Sequence, residues 1–271
     1  MIARIPAVTT AVLAFGVLAL LSASPARAGL ADQIGNTFTL MADDFVNAFQ
    51  PIEALVVQVE GDVIYLDVGG AVAQVGQEFT VFRKGAIFRH PVTDRPLGRY
   101  EDVLGHAQVR RVQPRFSEAT FIPLPGQLRP EPEDGARITR GRIKVAVPPV
   151  LDLTASGADL RRVPYMLATM LERSKRFQVV DPLTVSDMLT SSSVRVEEVL
   201  ARPERAGRAA RNLEVAGWLI PVLIERRGVT YLDVTWVSAV TGTALFSRRL
   251  TILPASAAEG QRFPWEPRGE D

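Results

Sequence analysis

The sequence predicts a mixed fold in two parts: a small, SH3-like β-barrel preceded by one helix, then an α/β sandwich on a mixed sheet. Three observations point there. Hydrophobic spacing changes from three-and-four to two at Ile52. Five short alternating stretches separated by glycine turns follow. Beyond a proline-rich stretch, strand-like and helix-like segments interleave in the order β-α-β-α-α-β-β-β.

The first residues precede any fold. Arg4 gives a positive start, “AVLAFGVLALL” (11–21) an apolar run, and “ARA” (26–28) the small residues that a signal peptidase reads. Residues 1–28 are therefore expected to be an export signal, cut after Ala28. A membrane span needs about 20 apolar residues, roughly twice this run. The chain has no cysteine, which excludes disulfides, thiolate metal sites and a cysteine-linked lipid anchor. The expected location is periplasmic, not as a lipoprotein, with no transmembrane segment in the mature chain.

Residues 29–51 are expected to form an amphipathic helix. Leu30, Ile34, Phe38, Met41, Phe45, Val46 and Phe49 recur at spacings of three and four, and Pro51 ends the pattern. Asp32, Asp43 and Asp44 mark its polar face, which argues against anionic lipid as its target. Packing on its own domain and docking on a partner both remain open for its apolar face.

Residues 52–122 carry the barrel pattern: “ALVVQVE”, the Gly61-Asp62 turn, “VIYLDV”, “QEFTVFR”, “GHAQVRRVQ” and “EATFIPL”. Its own turns and alternation predict that residues 30–124 unfold cooperatively by themselves. Residues 123–141, “PLPGQLRPEPEDGARITRG”, hold four prolines and three glycines without hydrophobic periodicity and are expected to be an extended linker.

Residues 142–253 are expected to form the α/β domain. “IKVAVPPV” reads as a buried strand, and a helical pattern follows with Pro164 in its first turn. Asp181-Pro182 supply an N-cap and first helical residue. Gly228 and Thr241-Gly242 separate three long closing strands. The tail, 254–271, lacks pattern and is expected to be disordered.

The glycine-rich stretch “DVGGAVAQVGQEFTVFRKG” (67–85) invites a phosphate-loop reading. Such a loop needs Lys-Ser or Lys-Thr after its last glycine and then a helix. Here Gly76 leads into a strand, and no helix follows Gly69-Gly70, so these glycines are turn residues. His90 and His106, the two histidines, show no zinc spacing, and no serine sits in a Gly-x-Ser-x-Gly elbow. Asp43-Asp44, Glu101-Asp102 and Glu197-Glu198 are sequence neighbours whose side chains diverge, which does not suit shared proton transfer. No cofactor or metal is expected, and the chain is expected not to be an enzyme.

Charge excludes a nucleic-acid partner: the net is +1, with −4 over residues 29–122 and +3 over 142–271. Arg202, Arg205, Arg208 and Arg211 recur every third residue and form a basic stripe on a helix. Such a stripe is either a solvated face or a docking site for an acidic partner or an anionic glycan, so these four are the candidate partner-binding residues.

“VEGDVIYLDVGGAVAQVGQEFTVFRKG” with “HPVTDRPLGRYEDVLGHAQVRRVQPRFSEATFI” resembles the C-terminal barrel of flagellar assembly protein T. “IKVAVPPVLDL”, “FQVVDP” and “LEVAGWLIPVLIERRGVTYLDVTWVSAVTGTALFSRR” resemble an α/β domain shared by three groups. These are the curli secretion protein G family, penicillin-binding-protein activator lipoproteins and the middle domain of flagellar protein T. The resemblances imply a bacterial cell-envelope scaffold acting on envelope proteins, with flagellar basal-body assembly as the first expectation. Regulation of cell-wall synthesis or fibre secretion is the alternative, and an exported hydrolase the third. Self-association stays open.

Overall fold

A computed structural model describes residues 29–154 and 156–252. The expected signal peptide (1–28) and tail (254–271) lie outside the described residues. The fold is mixed α/β with two sheets.

Helix α1 (Leu30–Ala48) opens it, with Ile34, Phe38, Met41 and Phe45 almost completely buried. Six strands follow: β1 (Ile52–Glu60), β2 (Val63–Leu66), β3 (Glu78–Arg89), β4 (Pro96–Val112), β5 (Ser117–Pro123) and β6 (Gly135–Ile138). They close on themselves in the order β1-β2-β5-β4-β3-β6, all neighbours antiparallel. Alternation puts Val56, Ile64, Leu66, Phe79, Val81, Ala107, Ala119 and Phe121 inside the ring.

Strand β6 corrects the linker expectation. Residues 135–138 pair with β1 on one side and β3 on the other, and so close the ring. Three local features hold them. Asp134 is buried and accepts hydrogen bonds from the Arg83 guanidinium (2.9 and 2.8 Å) and the Glu131 amide (2.7 Å). Gly135 lies against the Phe82 ring, where a Cβ would come within 2.3 Å of a ring carbon. Ala136 and Ile138 fill the interior. Arg83, half of the basic pair beside the glycines, thus spends its charge on a ring-closing carboxylate. Gly76, with φ of +88°, lies where a Cβ would sit 2.5 Å from the Leu245 carbonyl oxygen. Its role is close backbone approach between ring and second sheet.

The second unit contains β7 (Ile143–Ala146), β8 (Leu151–Asp152), α2 (Val163–Arg173), β9 (Phe177–Val179), α3 (Pro182–Ser191), α4 (Val196–Ala201), α5 (Pro203–Leu213), β10 (Gly217–Arg226), β11 (Val229–Ser238) and β12 (Ala244–Thr251). Its sheet runs β12-β11-β10-β7-β9, with β8 beside β10. The β7–β10 and β7–β9 pairs are parallel and the β10–β11–β12 meander is antiparallel. Pro164 occupies the first turn of α2, and Asp181 caps α3 by accepting from the Leu183 amide (3.3 Å). Val185, Leu189, Ala206, Ala210 and Leu213, from α3 and α5, cover one face, around Trp218.

The other face is covered partly by α1. Its apolar side rests on α2 and on β11 and β12 rather than on the ring. Phe45 meets Phe246 at 5.2 Å between ring centroids, Phe49 meets Trp236 at 4.3 Å, and Asp44 pairs with Arg248 at 2.9 Å. One continuous hydrophobic cluster therefore runs from α1 through the ring to the second sheet. Arg176, only 7% exposed, ties these parts together. It donates to the carbonyls of Phe49, Gly141 and Thr139, which belong to the end of α1 and the segment after β6.

Two outcomes follow. A fragment of residues 30–124 ends before β6 and leaves α1 without its sheet. It should melt broadly by circular dichroism, whereas the whole chain melts cooperatively. Arg176→Met leaves three carbonyls without their donor. At about 1 kcal/mol or more each, urea unfolding should show a loss of roughly 3 kcal/mol, and Arg176→Lys should recover only part.

Candidate functional site

Alternation gives the ring an outward face as well as an inward one. On β3 and β4, Glu78, Thr80, His106 and Gln108 point away from the ring's core, and register places Glu78 opposite Gln108 and Thr80 opposite His106. In an isolated ring these positions would meet water. Here the second sheet stands over them and leaves a cavity of about 710 Å³. Glu78, Thr80, His106 and Ile122 form the ring side, and Phe49, Ile143 and Trp236 the opposing wall.

The polar groups are few and specific. Glu78 accepts a 2.7 Å hydrogen bond from the Ser238 hydroxyl, which in turn accepts from the amides of Val240 (3.0 Å) and Thr241 (3.2 Å). No cation lies within ion-pair distance of Glu78 among the described residues. Burial therefore pushes its carboxyl up to about 7, against the lowering effect of the Ser238 bond. Burial also lowers the pKa of His106 and so favours its neutral form. Gln108 is 4% exposed, and its Oε1 has no hydrogen-bond partner among the described residues. Arg137 reaches the cavity wall but gives both terminal nitrogens to Glu101 (3.0 and 2.6 Å) and stacks on Phe82, 4.2 Å from the ring centroid.

The arginine stripe divides. Arg202 and Arg205 converge on Glu198, at 3.6 and 2.7 Å. The Glu198 pKa is lowered first by its bond to the Arg195 amide and then by these arginines. Arg208 is exposed, and Arg211 lines the cavity. Arg205 and Arg208 line one shallow pocket with Asn212, and Arg202 stands at the N-cap just before the helix. Glu101, Asp44 and Glu198, one from each carboxylate pair, bind separate arginines. His90 accepts amide hydrogen bonds from Val92 (3.2 Å) and Thr93 (3.3 Å) in the β3–β4 turn.

Glu78, Ser238 and Gln108 were not among the sequence candidates. A glutamate at an outward strand position reads as solvated, and no local signal shows that a sheet more than a hundred residues away covers it. The nearest signal is “GQEF”, where two polar residues precede the strand's first apolar one.

No family model matches this sequence, and no curated protein does. Among solved structures it is similar to the LpoB C-terminal domain from Escherichia coli. That match has 16% identity, covers 42% of this chain and 85% of that one, and has a TM-score of 0.35. The corresponding Salmonella enterica domain matches with the same identity and score, over 84% of its length. Lipoprotein GNA1162 from Neisseria meningitidis matches at 17% identity, over 41% of this chain and 79% of that one, with a TM-score of 0.31. Scores of this size carry no functional argument. No described helix is long and apolar enough to cross a membrane.

The cavity makes a pH prediction. Between the ordinary glutamate value, 4.5, and about 7 the unfolded chain loses this proton while the folded chain keeps it. Folding stability from Glu78 is therefore full below pH 4.5, falls through that window, and is lost above it. Glu78→Gln should match the parent near pH 4 and exceed it at pH 8 by roughly 3 kcal/mol. Urea midpoints of the two proteins across pH give the difference curve, to which the other titrating groups contribute equally.

Proposed function

We propose that this chain is an exported, non-enzymatic envelope protein that regulates cell-wall synthesis by contacting a protein partner. The carrying observation is the arm that β3 and β4 form beyond the ring. The ladder from β3 to β6 involves only Thr80–Phe82, and that from β4 to β5 begins at Gly105. Between these limits the two strands pair only with each other. Phe88 and Tyr100 stack edge to face at 5.3 Å, yet are 46% and 59% exposed, and Ile87, Val92 and Leu97 are exposed as well.

Free strand edges and uncovered aromatic rings suit strand addition to, or capture by, a partner. Charge selects its kind. Residues 83–104 carry Arg83, Lys84, Arg89, Arg95 and Arg99 against Asp94, Glu101 and Asp102, a net positive arm. Two such arms repel, so the complementary surface is an acidic protein. The sequence resemblance of the α/β unit to penicillin-binding-protein activators directs the reading to wall synthesis. The flagellar reading has in its favour the likeness of the ring sequence to flagellar assembly protein T and of the α/β unit to that protein's middle domain.

A photo-crosslinker at Tyr100, activated in living cells, should join this chain to a wall-synthesis enzyme through an acidic segment. Phe88→Ser with Arg95→Glu should remove the product. Both positions are exposed, so the melting temperature should hold, each exposed change being worth about 0.5 kcal/mol or less. A crosslink to a basal-body component, with lost motility and a normal wall on deletion, would transfer the assignment to the flagellar reading. Crosslinks only to a second copy would overturn both.

A further inference from the structure

The cavity between ring and second sheet has an unbalanced inventory. Its lining is mostly apolar and includes Phe49 and Trp236, which pack on each other and are almost wholly buried. Its carboxyl, Glu78, has one neutral donor, Ser238. The charged and titratable groups around it do not balance that acid. Arg137 is bound to Glu101, His106 favours its neutral form, and Arg211 is an exposed residue on the lining. The same outward face of the ring carries the unpartnered Gln108 Oε1. Glu78, which lines the cavity, is thus short of donors, while Gln108 lies on the same face outside the lining. A volume of about 710 Å³ suits a small organic molecule, since such sites run from about 300 to 1,000 Å³.

We propose that this cavity binds an organic amine, a protonated amino group on an apolar body, with Glu78 as its counterion. The ammonium group brings up to three N–H donors and the missing positive charge. The largely apolar lining receives the apolar body. A carboxylic acid would set its charge against Glu78, and a neutral alcohol would leave that acid uncompensated. Binding requires Glu78 ionised, so affinity rises with pH through the neutral range while the amine itself stays protonated. This site is separate from the arm and does not rest on the partner reading.

The probes are 2-phenylethylammonium, 2-phenylethanol and phenylacetate, titrated calorimetrically into the whole chain. At pH 8 the amine should bind at least ten times more tightly than the alcohol, and phenylacetate most weakly. Amine affinity should fall about tenfold between pH 8 and pH 6, while alcohol binding stays level. Glu78→Gln, confirmed folded by circular dichroism, should erase the preference for the amine. Equal binding of amine and alcohol, retained preference in the variant, or no binding of the amine at any pH would each overturn the site. Should the variant not fold, the pH series on the parent decides: an amine affinity that does not change with pH overturns it.

Discussion

The guanidinium of Arg176 sits where three pieces of chain meet and donates to a carbonyl of each neighbouring turn: Phe49, Thr139 and Gly141. Helix α1 ends at one of these carbonyls, and the segment leaving β6 supplies the other two. Arg176 itself leads into β9, at the edge of the second sheet. A buried cation without a carboxylate is costly, and burial lowers its pKa accordingly. Carbonyl dipoles held in place by two different units offset that cost only while the units stay docked. Ring, helix and sheet thus share one junction, and the hydrophobic cluster through them is continuous because the junction fixes their spacing.

That docking divides the ring's outward face into two environments. Near Glu78 and His106 the second sheet covers the ring but does not fill the space, so a cavity remains with a carboxyl in its wall. Further along the same two strands nothing covers the chain, and Phe88 and Tyr100 stand in solvent. The strand period is identical in both regions. What differs is the second sheet's reach: Gly76 approaches the Leu245 backbone there, and Gln77 Nε2 donates to the carbonyl of Ala48 at the end of α1, 2.8 Å. One pair of strands therefore carries a sheltered acid at one end and an exposed, basic, apolar arm at the other.

Much of the architecture was legible from residue types alone. The strands of the ring up to Pro123, the Pro164 and Asp181-Pro182 helix starts, and the three closing strands after Gly217 depend on spacing or on single-residue geometry. The fold's mixed character was legible for the same reason. Strand β6 was not, because four residues after “PEPED” are too few to show a period and the prolines around them signal a linker. Its position is set by Asp134 binding Arg83 and by Gly135 under the Phe82 ring, contacts some fifty residues apart in the chain.

The sequence by itself determined where most strands and helices form, because φ/ψ preferences and hydrophobic period act over a few residues. It also determined that α1 has an apolar face to bury, though not where. Only the tertiary structure decided that this face closes over the second sheet, that β6 completes the ring, and that Glu78 lies in a cavity. Each of these depends on which surfaces meet across long stretches of chain. Burial and desolvation arise from that meeting, and no residue's neighbours in sequence encode them.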